Sequence, residues 1–186
     1  MRQVILFNKP YGVVCQFSAD GKHPTLKDYI PIVDVYAAGR LDTDSEGLLI
    51  LTDDGQLQHQ LAHPKHKLPK IYWVQVEGEI SDVAMQVLAQ GVDLGDVITQ
   101  PAQVQRIAEP ANLWARTPAV RFRKAIPTCW IALTITEGKN RQVRRMTAKV
   151  GYPTLRLIRA QIGQWTLDNL APGQYRSLLA AEIKNI

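Results

Sequence analysis

Cysteine is scarce in this sequence, which holds only Cys15 and Cys129 among its 186 residues. Small folds stabilised by disulfide bonds need many closely spaced cysteines, so two isolated thiols exclude that class. Cys15 lies in an apolar stretch, where we expect it to pack in the core rather than to act as a nucleophile. The scarcity of cysteine therefore predicts a reducing setting, the cytoplasm.

Long hydrophobic runs are missing as well. No apolar stretch approaches the ~20 residues that are needed to span a bilayer. The N-terminus begins Met-Arg-Gln and continues with Val-Ile-Leu-Phe, which is typical of a strand rather than a signal peptide. We therefore expect no membrane partner.

Motifs for nucleotide cofactors and metals are also absent. The sequence contains no phosphate-binding glycine loop and no dinucleotide fingerprint. His59 and His63 are four residues apart and His66 follows, but no glutamate comes directly after His59 and no cysteine lies nearby. The zinc protease pattern therefore fails, and we expect neither a cofactor nor a metal site.

Positive charge is in moderate excess. The 22 lysines and arginines exceed the 17 aspartates and glutamates, which gives a net charge of +5. This excess permits a polyanionic partner but does not by itself establish one, because many basic proteins bind no nucleic acid. The placement of the charges matters more than their total.

Strand-like and helical segments alternate irregularly along the chain. The predicted strands are Val4 to Phe7, Val13 to Phe17, Val35 to Ala38, Leu48 to Leu51, Ile71 to Val76, Trp130 to Thr136 and Leu155 to Trp165. The predicted helices are Gln56 to Ala62, one capped by Ser81 and stopped by Gly91, Gln142 to Val150, and Ser177 to Lys184. Without a regular β-α-β repeat, this order predicts an α+β fold with a mixed, mostly antiparallel sheet and flanking helices. We expect one domain over residues 1–186 with two lobes, and a hinge in the basic link at residues 63–70.

A polar loop at residues 39–47 lies between two of the predicted strands. It contains Arg40 and the carboxylates of Asp42, Asp44 and Glu46, and glycines bound it at both ends. A loop held by core strands is a suitable place for a fixed reactive group. The residues alone favour a simpler interpretation, in which an aspartate caps a turn by accepting hydrogen bonds from backbone amides.

A second polar cluster begins at Glu137 and continues into the predicted helix at residues 142–150. At ~100° per residue, its cations fall within an arc of roughly 140°, opposite the apolar residues. This arrangement indicates an anion-binding face, although a merely solvated face shows the same pattern. The cations are Arg141, Arg144, Arg145 and Lys149, and the apolar residues are Val143, Met146 and Val150.

Further cations lie in an irregular stretch from Trp114 to Lys124. Arg116, Arg121, Arg123 and Lys124 occur there beside Trp114 and Phe122. Cations mixed with aromatic residues suit RNA, because the former contact phosphates and the latter stack on bases. A mobile surface loop would have the same composition.

These residues match, in order, the motifs of a known family, and the sequence resembles the pseudouridine synthases of the RsuA type. Asn8-Lys9-Pro10-Tyr11-Gly12 matches N-K-P-x-G, and residues 39–55 match the long G-R-L-D-x-x-S-E-G-L-L-L-L-T-x-D-G block. Lys70-Ile71-Tyr72 matches K-x-Y, residues 137–146 match the third motif, Leu157-Ile158-Arg159 with Gly163 follows, and Leu170 to Arg176 matches L-x-P-G-x-x-R. The resemblance therefore covers nearly the whole chain.

The resemblance implies the family's catalytic fold with a central active-site cleft, and it assigns roles to individual residues. Asp42 becomes the catalytic aspartate, and Arg40 would bind the substrate. Tyr72 would stack on the target base, and Leu157 would line the pocket. Arg144, or alternatively Arg141, would pair with the aspartate. The remaining RNA contacts are expected from Lys139, Arg141, Arg145 and Lys149.

The implied activity is the isomerisation of uridine to pseudouridine in ribosomal RNA, with 23S more strongly indicated than 16S. The reaction needs no cofactor or metal. We expect a monomer without the S4 RNA-binding domain that many relatives carry. Two other functions stay open at this point, namely a non-catalytic RNA-binding module and a metal-dependent nuclease built on Asp42, Asp44 and Glu46.

Overall fold

A computed structural model of the chain describes residues 2–66, 68–121, 123–179 and 182. Its strands and α-helices are β1 (Val4–Lys9), β2 (Tyr36–Ala37), β3 (Glu46–Thr52), α1 (Gly55–Ala62), β4 (Lys70–Glu77), α2 (Asp82–Gln90), β5 (Gln103–Ile107), β6 (Thr128–Ile135), α3 (Gln142–Lys149), β7 (Thr154–Ile162), β8 (Trp165–Thr166) and β9 (Tyr175–Ser177). Short 3-10 helices occur at Leu26–Asp28 and Pro64–His66. None of the helices described is long and apolar enough to cross a bilayer.

The chain forms two compact units. The first comprises Met1–His66 together with Trp165–Ile186, and the second comprises Lys67–Gln164. The boundary after His66 falls inside the basic link at residues 63–70. A hinge at that link stays a prediction.

The first unit is organised around β1 and β3, which pair antiparallel with Phe7 opposite Leu49. The short β2 pairs with β3, and β9 pairs with β1. Every residue of β1 and β3 is buried. This burial on both faces explains the continuous apolar runs in the sequence, because a strand with one solvated face would alternate. Ile5 and Phe7 pack on one face of β1 with Leu26 of the first 3-10 helix.

The strand predicted from Val13 to Phe17 is wrong. Only an isolated parallel bridge joins Val14 to Thr25. The backbone N–H of Val14 bonds to the Pro24 carbonyl oxygen, and the carbonyl oxygen of Val13 accepts a hydrogen bond from the side chain of Lys9. The apolar pattern predicted burial correctly at Val13, but these local partners leave no regular ladder for a strand to join.

The second unit contains a four-stranded antiparallel sheet in the order β5-β6-β4-β7. Val74 in β4 lies opposite Ile131 in β6 and opposite Leu157 in β7. The same buried cluster includes Leu88 of α2 and Met146 of α3. The two helices therefore contribute apolar side chains to the core that the sheet builds.

The helix start predicted at Ser81 is confirmed by its capping contact, and α1 begins at Gly55, one residue before the predicted start. Asp54 caps α1 by accepting hydrogen bonds from the backbone N–H groups of residues 56 and 57, and Ser81 caps α2 by accepting one from Ala84. Gly91 ends α2 with φ 107°, and a Cβ there would lie 2.5 Å from the carbonyl oxygen of Thr99. Only glycine fits this close approach, which explains the stop signal in the sequence.

Two predicted elements near the C-terminus differ from the structure. The strand predicted from Leu155 to Trp165 is interrupted, because β7 ends at Ile162 and a turn follows at Gly163, which has φ 55°. The helix predicted from Ser177 to Lys184 is wrong at its start, since Ser177 belongs to β9. Most of the remainder of that predicted helix, residues 180, 181, 183 and 184, lies outside the described residues. The α+β class and the mostly antiparallel pairing are confirmed.

Candidate active site

The loop that carries Asp42 is a tight turn leading into β3. The backbone N–H of Ser45 donates a hydrogen bond to the carbonyl oxygen of Asp42 (3.0 Å). Leu41 and Ser45 are buried on either side, while Asp42 itself is half-buried. The loop is shorter than predicted, because Glu46 already belongs to β3. Asp42 is therefore held on a short anchored turn.

The N-K-P-x-G segment supports this turn from the neighbouring strand. The backbone N–H of Gly12 donates to the carbonyl oxygen of Thr43 (2.8 Å). Lys9, at the end of β1, is fully buried, and its Nζ donates to the carbonyl oxygens of Val13 (2.8 Å) and Pro10 (3.0 Å). The two segments that matched separate family motifs are thus joined by a hydrogen bond within one unit.

The burial of Lys9 was not predicted from the sequence, where this residue was noted only as part of the N-K-P-x-G motif. Burial lowers the pKa of Lys9 from 10.5 to about 8, while electrostatic interactions with Cys15, Glu46, Asp44 and Asp42 oppose this shift. A cation inside the protein therefore interacts electrostatically with all three carboxylates of the loop. The sequence signal that could have indicated this burial is the position of Lys9 shortly after the apolar run Val4 to Phe7.

The buried Lys9 should make the stability of the protein depend on pH. Below about pH 8 the amine is charged in both the folded and the unfolded chain, so folding bears the full cost of burying the charge. Between about pH 8 and 10.5 the folded state releases its proton first, and this cost disappears. We expect the free energy of unfolding to rise through this window by roughly 3 kcal/mol relative to Lys9→Met.

Urea unfolding of both proteins from pH 7.5 to 10.5 measures this effect. Other titrating groups are common to the two proteins and cancel in the difference. A difference that does not change with pH would contradict the assignment of a depressed pKa to Lys9.

In the second unit, the structure brings Tyr72 and Leu157 together. Tyr72 is in β4 two residues before Val74, which lies opposite Leu157 in β7, so the three side chains share one face of the sheet. Tyr72 is 7% exposed and Leu157 6%, and both belong to the unit's core cluster. Stacking on a base could therefore use only a small exposed part of the Tyr72 ring.

The third motif forms a hydrogen-bonded turn before α3. The Oε1 atom of Glu137 accepts hydrogen bonds from the Gln142 side chain (2.6 Å) and from the backbone N–H of Gln100 (2.8 Å). The Oε1 atom of Gln142 accepts one from the backbone N–H of Lys139 (3.0 Å). This network precedes a helix that begins at Gln142, so Arg141 is not part of the helical face that we predicted. Arg141 adopts a left-handed conformation with φ 49°.

The strained backbone at Arg141 suggests that its side chain is retained for a function. A non-glycine residue in this region costs on the order of 1 kcal/mol, and glycine removes the cost. We expect Arg141→Gly to weaken RNA binding while the free energy of unfolding changes by no more than about 1 kcal/mol, because the relief of backbone strain offsets the loss of the side chain's contacts. Thermal unfolding and a filter-binding assay measure the two quantities. Loss of stability together with unchanged RNA affinity would show that the side chain serves the fold alone.

The rest of α3 agrees with the predicted faces. Val143 and Met146 are buried, Arg144 is half-buried and Lys149 is exposed. Burial of the apolar side explains why the helix forms here, since its amphipathic pattern finds a core to pack against. The cationic side is left nearer to solvent.

Arg145 makes an ion pair within the protein. Its guanidinium bonds to the carboxylate of Asp96 and approaches the carbonyl oxygen of Leu94 (3.4 Å). The bond from Arg145 lowers the pKa of the Asp96 carboxyl below its usual value. An RNA phosphate would have to compete with Asp96 for this side chain, so an RNA contact at Arg145 stays a prediction.

The predicted site residues are divided between the two units. Asp42 and the exposed Arg40 belong to the first, whereas Tyr72, Arg144 and Leu157 belong to the second. The pairing of the aspartate with an arginine of the third motif stays a prediction.

Three of the four histidines, His59, His63 and His66, lie close together in the first unit. The ring centroids of His59 and His63 are 4.7 Å apart, and His66 lies 6.3 Å and 6.1 Å from them. Nevertheless, within the part of the chain that the structure describes, no group of three or more histidine, cysteine, aspartate or glutamate residues is arranged to hold a metal ion.

Comparisons with known proteins agree with the motifs. The sequence model of a family described as RNA pseudouridylate synthase matches residues 3–149. Ribosomal large subunit pseudouridine synthase E of Vibrio vulnificus is 55% identical over 177 residues, which are 95% of this chain and 75% of that protein. Ribosomal small subunit pseudouridine synthase A of Yersinia pestis is 39% identical over 187 residues, 97% of this chain and 71% of that protein. A crystal structure of a pseudouridylate synthase aligns with a TM-score of 0.81 at 32% identity, covering 98% of this chain and 72% of that one. The chain therefore belongs to the RNA pseudouridylate synthase family.

Proposed function

We propose that this protein converts uridine to pseudouridine in the RNA of the large ribosomal subunit, with Asp42 as the catalytic group. Support for the substrate comes from the names of the relatives, since the more similar of the two is a large-subunit enzyme. The observation that carries the catalytic assignment is the position of Asp42, half-buried on an anchored turn whose carboxylates interact electrostatically with the buried Lys9.

The reaction breaks the bond between N1 of uracil and C1′ of ribose and forms a bond between C5 and C1′. The proton on C5 is lost and N1 gains one, so the product is an isomer of the substrate and no redox step is involved. A carboxylate suits this chemistry, because it can act as a nucleophile or base or stabilise positive charge on the sugar. Asp42 supplies that carboxylate.

Residues of the second unit complete the proposal. A base inside a helix is out of reach, so it must be flipped out at a cost of a few kcal/mol. In our proposal the ring of Tyr72 stacks on the flipped base, Leu157 lines the pocket, and Arg144 pairs with Asp42. Arg40 contacts the substrate from the first unit.

RNA outside the pocket is held in this proposal by the cations of the third motif and α3. Guanidinium and ammonium groups bind phosphates, and the protein's net charge of +5 favours association with RNA. The contacts are assigned to Lys139, Arg141, Arg145 and Lys149. In this proposal the protein acts as a monomer in the cytoplasm. Sedimentation of the purified protein tests whether it is a monomer.

The direct test is to incubate purified protein with 23S rRNA or with 16S rRNA and to map pseudouridines by chemical modification and primer extension. Both reactions contain EDTA, which removes metal ions. We expect a new pseudouridine in the 23S rRNA and none in the 16S rRNA. Modification of the 16S rRNA alone would contradict the substrate assignment. RNA cleavage that EDTA abolishes would indicate a nuclease and contradict the proposal as a whole.

A further inference from the structure

The segment between β5 and β6, residues 108–127, contains four cations. Two of them bind other groups of the protein, and the other two line a cleft. Arg116 is bound to the protein itself. Its guanidinium donates hydrogen bonds to the carbonyl oxygens of Pro118 (2.8 Å), Ala119 (3.1 Å) and Leu155 (3.2 Å). Arg116 therefore shapes the segment and has few donors left for a ligand.

Two further arginines also make contacts that secure this segment. Arg156 of β7 is buried, donates a hydrogen bond to the carbonyl oxygen of Trp114 (2.9 Å) and lies 5.6 Å from the centroid of the Trp114 ring. Arg123 forms an ion pair with Glu77 (3.0 Å). These arginine contacts hold the segment against β4 and β7, and the ring of Trp114 already contacts Arg156.

The other two cations, Arg121 and Lys124, line a cleft of about 420 Å³. Both are exposed, and the side chain of neither makes a hydrogen bond or ion pair with any residue that the structure describes. Gln75 and Thr128 also line the cleft, and the side chain of Gln75 donates a hydrogen bond to the hydroxyl of Thr128 (3.2 Å). The remaining lining residues are Val120, Ala125, Ile126 and Pro127.

We propose that this cleft binds the backbone of an RNA segment outside the one that carries the target uridine. The proposal rests on the proposed function, because it takes an RNA substrate as given. Arg121 and Lys124 would each contact a phosphate. The carbonyl oxygen of the Gln75 side chain and the apolar walls would accept the sugar or base that lies between them.

The charge and size of the cleft support an RNA ligand. Glu77, an acidic neighbour on the same strand as Gln75, is already neutralised by Arg123. The cleft therefore presents two cations that are not balanced by that carboxylate. Its volume lies at the lower end of the range for sites that hold small ligands, which fits a single nucleotide unit better than a folded peptide.

The position of the cleft explains why it would hold a separate RNA segment. Gln75 is three residues after Tyr72 in β4, and side chains of a strand alternate between the two faces of the sheet. Gln75 and the cleft therefore lie on the face opposite to Tyr72. A nucleotide bound there is not the base that stacks on Tyr72, and in our proposal it belongs to a separate segment of a folded RNA.

The test compares wild type with the Arg121→Gln/Lys124→Gln double variant on two RNAs. One is a long 23S rRNA transcript, and the other is a short hairpin cut from it around the modified uridine. On the long transcript we expect an approximately tenfold weaker affinity, and a plot of log affinity against log salt concentration that is shallower by roughly 1.5. On the hairpin we expect no difference in affinity, and on both RNAs an unchanged rate of modification at saturation.

The matched control is Lys22→Gln/Lys27→Gln, which removes the same charge from exposed lysines of the first unit. It should leave the affinity for the long transcript nearly unchanged. Equal losses in the two double variants, an unchanged salt dependence in the Arg121 and Lys124 variant, or an equal loss on the hairpin would each overturn the cleft assignment. Binding is measured independently of modification, so failure of the wild type to form pseudouridine would contradict the proposed function alone.

Discussion

Replacing Asp42 with asparagine is expected to lower the rate of pseudouridine formation by at least about 10³-fold while RNA affinity changes little. The amide has almost the shape of the carboxylate, so the turn that Asp42 shares with Ser45 should persist. It lacks the charge, and it can act neither as a nucleophile nor as a base. Single-turnover release of tritium from RNA that carries 5-tritiated uridine measures the rate, and filter binding measures the affinity.

The matched control for Asp42→Asn is Asp44→Asn. Both changes remove one negative charge from the same loop, and both carboxylates interact with the Lys9 ammonium. A general electrostatic effect would therefore appear in both variants. We expect Asp44→Asn to reduce the rate far less than Asp42→Asn. Wild-type turnover by the Asp42 variant, or an equal loss in the two variants, would remove Asp42 from the mechanism.

Substitutions of Tyr72 are expected to produce the second largest effect. Base stacking on an aromatic ring is worth about 1–3 kcal/mol, which corresponds to roughly 5- to 150-fold in rate or affinity. Tyr72→Phe keeps the ring and should retain most of the activity. Tyr72→Leu keeps an apolar side chain of substantial volume but removes the ring, and we expect a loss within that range. RNA affinity and the rate at saturating RNA are measured for the three proteins. A loss of affinity indicates stacking in the bound complex, and a loss of rate indicates stacking during the reaction.

Burial of Tyr72 makes a stability control necessary. The residue belongs to the core cluster of the second unit, so shortening it leaves a cavity and destabilises the fold. Val74→Ala creates a cavity on the same face of β4 without touching the proposed stacking ring. We expect it to lower the melting temperature and to leave the rate unchanged. If Tyr72→Leu is as active as Tyr72→Phe, the ring does not stack on the base.

Local sequence signals were sufficient where the relevant interaction is itself local. Asp54, Ser81 and Gly91 mark the ends of helices because a cap bonds to backbone groups two or three residues away, or meets a nearby carbonyl oxygen. The stretch from Val13 to Phe17 shows the limit of this approach. Its apolar residues predicted burial, but a strand also needs a partner ladder, and no periodicity in one segment reports on the partner.

The sequence by itself determined the family, the α+β class and the position of Asp42 in a loop between core strands, because ordered motifs and hydrophobic patterns are properties of consecutive residues. Tertiary structure alone decided which charged side chains have partners. Arg116, Arg123 and Arg145 look alike in the sequence, yet their partners Leu155, Glu77 and Asp96 lie 39, 46 and 49 residues away. The burial of Lys9 near three carboxylates, and the exposure of Arg121 and Lys124 at a cleft, follow from the same cause. Charge is encoded residue by residue, but its environment arises only when distant segments pack together.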